Sequence, residues 1–213
     1  MEALDRVLIS HNWITIIFVF AMLLLFSLKF IDHKRLAGYT KSFFVKGFIE
    51  KKAEEKFAFF SLFNLIIFLF AVLVTTLTVI LVLGEFSPKY VIDSVFFTKV
   101  FILVSLYFLF FLGIDLALSA VFQIKNELKY FIAAKISYLY NATLWLFPLL
   151  ILTVYGLKNG IVLVGIVGFL FILSTLLVFV NNKNLIVNKL FYFILYLCAL
   201  EIAPLLIFYK ITI

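Results

Sequence analysis

Apolar residues run through this chain in long uninterrupted blocks rather than in alternation, and the polar residues gather between the blocks. Crossing roughly 30 Å of hydrocarbon takes about 20 residues of helix. Six stretches reach that length, near 13–31, 57–83, 96–123, 136–156, 161–180 and 189–209. The pattern predicts an all-α, polytopic helical membrane protein, one integral membrane domain over 1–213, with no internal repeat, linker or second domain. The first run ends in Lys29, Asp32, His33 and Lys34 without a small-residue cleavage site, so it reads as a retained helix rather than a signal peptide.

The longest polar interval, 32–56, carries Phe43, Phe44, Val45, Phe48 and Ile49 near helical spacing, followed by Glu50, Lys51, Lys52, Glu54, Glu55 and Lys56. One apolar face beside one charged face suits an interfacial helix. The alternative is an extension of the second span, with Lys51 and Glu55 as an i,i+4 pair.

Composition agrees with the block pattern. Of 213 residues, 66% are hydrophobic and 14% charged, 29 are Phe, and mean hydropathy is +1.25. A soluble domain is about half apolar and a quarter charged. The net charge of +7 does not point to nucleic acid, because the cations lie between apolar runs instead of forming a patch on a soluble fold. Their distribution predicts orientation. Lys34, Arg35, Lys41, Lys46, Lys51, Lys52, Lys56, Lys125, Lys129, Lys135, Lys183 and Lys189 fall on one side; Arg6, Lys89, Lys158 and Lys210 fall on the other, with Lys99 near it. The positive-inside rule then places the basic loops in the cytoplasm and both termini outside. The basic loop 32–56 is a candidate contact for anionic lipid or for a protein partner.

Ionisable residues inside a span are costly and call for partners. Glu201 lies about 12 residues into the last span, and Pro204 leaves the carbonyl of Leu200 without its helical donor. Such an acceptor-rich spot suits a cation or a proton; a neutral Glu201 hydrogen-bonded to a neighbouring helix fits equally. Asp115, within GIDLALS, lies at a depth Lys135 can reach, as an ion pair or as part of a binding site. Asn141 and Pro148 are seven apart in the fourth span and hence on one face, which suits either a transporter-type broken helix or an ordinary kink. Gly165 and Gly168 permit close helix contact without forming GxxxG.

Other chemistries find no support. His11 and His33 fall on opposite sides and Cys198 is the one cysteine, so no metal site or cofactor is expected. The chain has no nucleotide-binding glycine loop and no G-x-S-x-G elbow.

The segments LYLCALEIAPLLIFYK and NATLWLFPLLILTVYG, the basic first loop, and Leu200, Glu201, Ile202 and Pro204 resemble an integral membrane family of Bacteroidota catalogued as a domain of unknown function (DUF4271-like). The resemblance implies a bacterial inner-membrane location and no particular activity. Three functional classes stay open, in this order: a non-catalytic subunit or assembly factor of an envelope complex, with a protein partner or a second copy; a small transporter or ion conductor using Glu201 and Asp115; and a membrane-embedded lipid-modifying enzyme.

Overall fold

The computed structural model describes residues 12–42, 61–86, 93–121, 125–157 and 160–181, with side chains 12, 115–131, 157 and 178–181 outside that description. Five helices make up these segments: α1 (Asn12–Lys41), α2 (Leu62–Phe86), α3 (Ser94–Val121), α4 (Lys125–Ile151) and α5 (Gly160–Asn181). A π-helical turn, Leu152–Leu157, extends α4. The described residues contain no strand. All five helices are long and apolar enough to cross a membrane, which agrees with the first five predicted spans. The sixth, 189–209, lies outside the described residues, as does the apolar cluster Phe43–Ile49.

Chemistry explains why the ends differ from the apolar runs. The hydrocarbon-length part of α1 stops at Asp32, whose backbone (φ −154°, ψ 87°) is extended rather than helical. The chain then resumes its helix, because Asp32 serves as a new N-cap: its Oδ1 accepts the Arg35 backbone N–H at 2.9 Å. Arg35 Nε lies 3.6 Å from Asp32 Oδ2. Its guanidinium sits 6.0 Å from the Phe63 ring centre at the start of α2, tying the short second segment of α1 to the bundle. The polar interval therefore begins with a helix, not a loop. On α4 the helix starts at Lys125, eleven residues before the apolar run at 136, because KNELKYFIAAK carries good helix formers and no breaker.

Helices α1, α2, α4 and α5 enclose the core. In lipid there is no hydrophobic force between helices, so close packing and ring geometry hold them. Phe147 of α4 is the hub: Phe18 of α1 lies at 6.1 Å (52°) and Phe70 of α2 at 5.5 Å (67°), both tilted geometries favourable for aromatic pairs. Ala21 of α1, with no exposure, lets the neighbouring helix approach. Helix α3 packs on α2 and α4. It stays peripheral, with no side chain from Ser94 to Ile114 fully buried.

Contacts fix the two ends of the bundle. Trp13 meets Phe97 at 5.8 Å and Thr15 Oγ1 lies 2.7 Å from Tyr155 Oη at one end. Tyr39, Phe63 and Tyr140 meet at the other, with Tyr39 stacked on Phe63 (6.1 Å, 10°) and edge-on to Tyr140 (5.5 Å, 77°).

Candidate functional site: a buried amide at the end of α1

The last carbonyls of a helix have no partner within it. For α1 they face the bundle, where lipid and protein supply few donors. Asn141 of α4 solves this. Its Nδ2 donates to the carbonyls of Tyr39 (2.6 Å) and Thr40 (3.1 Å) and lies 2.9 Å from Ser42 Oγ. Trp145, one turn along α4, points Nε1 at the Thr40 carbonyl from 3.4 Å. Ser42 closes the turn through its own N–H (3.2 Å) and Oγ (2.9 Å) to the Tyr39 carbonyl. Asn141 and Tyr39 have no exposed surface and Ser42 has 1%.

Three acceptors around one amide group determine which end is nitrogen: reversing the amide would set its oxygen against two carbonyls. The remaining atom, Asn141 Oδ1, is buried and accepts no hydrogen bond. The other buried polar side chains with a described bond turn back on their own helices: Thr76 to the Val72 carbonyl (2.7 Å), Thr78 to Val74 (2.8 Å), Thr143 to Tyr140 (2.9 Å) and Thr153 to Leu150 (3.0 Å). These are structural hydrogen bonds, the usual way a span accommodates a hydroxyl.

The sequence candidates separate. Asn141 is buried at this site, but Pro148 is exposed on the outside of α4, so the two do not form one site. Seven residues move about 10 Å along a helix, and at that level α1 packs on Phe147 and leaves its neighbour Pro148 exposed. The helix also runs through Pro148 without a break and changes to the π turn after Ile151. Lys135 leans toward α3, with Nζ 5.5 Å from the Phe111 ring centre. Asp115 lies on α3 one turn beyond Phe111, with its side chain outside the described residues, as Glu201 and Pro204 are altogether. At Gly165 and Gly168 a Cβ would meet nothing within 4 Å, so neither glycine marks a close helix approach among the described residues. Gly160 does: a Cβ there would overlap the carboxyl of Glu85, which the sequence reading passed over. It also passed over Tyr39, Ser42 and Trp145. Their pairing with Asn141 joins segments about a hundred residues apart, and no local pattern announces it.

Five packed helices, each long and apolar enough to cross a membrane, define a multi-pass helical membrane protein. The family model for a domain of unknown function (DUF4271) matches residues 14–212, and the chain belongs to that family. Comparison with curated proteins and with solved structures finds no match.

Proposed function

We propose that this protein is a non-catalytic subunit or assembly factor of an envelope complex, seated in a bacterial inner membrane with both termini on the periplasmic side. The observation that supports the reading is the use of the buried polar atoms: Asn141 caps α1, and the threonines bond to their own helices. Among the described residues these bonds hold the chain's own shape, which fits a protein that serves by its surface. The lysine and arginine distribution supports the orientation. Extraction in a mild detergent followed by mass spectrometry of co-purifying proteins tests it, with a stoichiometric protein partner as the expected result. A chain that purifies alone, folded and monomeric, overturns it.

One observation favours a second reading, a small ion- or proton-coupled transporter. Lys135 is drawn to α3 one turn from Asp115, a pairing that would place two ionisable groups within a span. Flux into liposomes that disappears in Asp115→Asn, with the protein still folded, supports this reading over the first.

A further inference from the structure

The second segment of α1 has two unlike faces. Tyr39 and Ser42 are buried against α2 and α4, whereas His33, Lys34 and Lys41 point away from the bundle and are exposed. Lys34 and Lys41 are seven residues apart and share one helix face. Lys29 is exposed just before the break at Asp32. Next to it Phe26 (67% exposed) and Phe30 (87% exposed) stack at 6.5 Å on the outside of the bundle. Exposed Phe26, Lys29, Phe30 and Lys34 thus lie within six residues of the bend, with Lys41 nine residues beyond it.

That juxtaposition locates the edge of the hydrocarbon. Phenyl rings with such exposure belong in acyl chains, and lysines beside them reach outward along their stems to the phosphate level. The acidic side chain at the bend does not neutralise them, because Asp32 is engaged by Arg35 through both the backbone N–H and the guanidinium. The bend itself is held by that N-cap and by the Asn141 contacts at the far end of the segment, so the cations sit on a fixed platform rather than on a free tail.

We propose that Lys29, Lys34 and Lys41 form a docking surface for anionic phospholipid headgroups, with Phe26 and Phe30 lying along the acyl chains. The partner is the lipid phosphate of a negatively charged leaflet, matched by charge and by the adjoining apolar rings. A basic side chain near such a surface strengthens binding roughly fivefold. This inference stands apart from the subunit reading, since it needs no protein partner.

The test uses the full chain, stripped of lipid in detergent and titrated by native mass spectrometry with phosphatidylglycerol or phosphatidylcholine. The wild type is expected to retain phosphatidylglycerol in preference to phosphatidylcholine. Lys29→Gln/Lys34→Gln/Lys41→Gln is expected to lose that preference by on the order of a hundredfold, from three such steps. Lys99→Gln, which removes one exposed cation from the opposite end of the bundle, is expected to keep it. Excess inorganic phosphate should fail to displace the lipid; displacement would identify a free-phosphate site and overturn the lipid assignment. No preference in the wild type, a preference that survives the triple substitution, or equal loss in Lys99→Gln overturns it as well. Should the triple variant not fold, Lys34→Gln against Lys99→Gln carries the same comparison: a several-fold loss in Lys34→Gln alone upholds the proposal, and a retained preference in Lys34→Gln or an equal loss in both overturns it.

Discussion

Asn141→Leu keeps the branched shape and the number of heavy atoms of the side chain and removes its donors from two helix-end carbonyls that face the bundle. A buried carbonyl left without a donor costs about 1–3 kcal/mol. Interhelical hydrogen bonds in membranes average nearer 0.6 kcal/mol, because the unfolded chain also finds partners. Ser42 still donates its N–H and Oγ to the Tyr39 carbonyl and Trp145 Nε1 stays 3.4 Å from the Thr40 carbonyl, so the expected loss lies near that average, about 0.5–1 kcal/mol. Asn141→Asp is expected to lose more, since a buried carboxyl beside two carbonyls must take up a proton and then has one donor where the amide has two. Thermal unfolding in detergent, followed by tryptophan fluorescence, checks the order wild type, Asn141→Leu, Asn141→Asp. Equal midpoints for the first two would show that the cap contributes no stability. Asn141 stands out in the sequence as a polar residue in an apolar run. Its job was not legible there, because the partners lie on a segment that becomes helical only through the Asp32 cap.

At the scale of elements, the bend at Asp32 and the close approach of Gly160 to α2 each involve one carboxyl group. Asp32→Ala removes an N-cap, which typically costs about 1 kcal/mol, whereas Asp32→Ser retains an acceptor and should lose only a fraction of that. Comparison of the two by thermal unfolding separates the cap from the Arg35 ion pair, which serine also lacks. At the other end, Gly160 opens α5 and the Glu85 carboxyl occupies the space a side chain would need. Gly160→Ala should push that carboxyl aside at a cost below about 1 kcal/mol, since a flexible side-chain end can move. With Glu85→Ala already in place, Gly160→Ala should become neutral. A double-mutant cycle measures the difference, and additive effects would place the carboxyl elsewhere. The spans themselves were legible because hydrophobic length alone sets them. The continuation of α1 past 31 and the start of α4 at Lys125 were not, because a helix outside the hydrocarbon depends on caps and propensity instead.

The whole molecule has two chemically distinct ends, and each described helix links one to the other. At one end Trp13, Phe97 and Tyr155 gather, with Lys99 exposed nearby; at the other the exposed His33 and Lys34 follow the bend of α1. Orientation across the membrane follows the lysine and arginine bias of the short loops, and the proposed arrangement keeps the His33 end in the cytoplasm. In a Cys198→Ser background, single His33→Cys and Lys99→Cys variants report on the two ends, since both positions are exposed. A membrane-impermeant maleimide added to cells with a permeabilised outer envelope should label the Lys99→Cys protein, and should reach the His33→Cys protein only after the inner membrane is lysed. The opposite pattern would invert the proposed topology. It would also move the lysine platform of α1 to the periplasmic leaflet, where the same headgroup chemistry would have to be sought on the other side of the membrane.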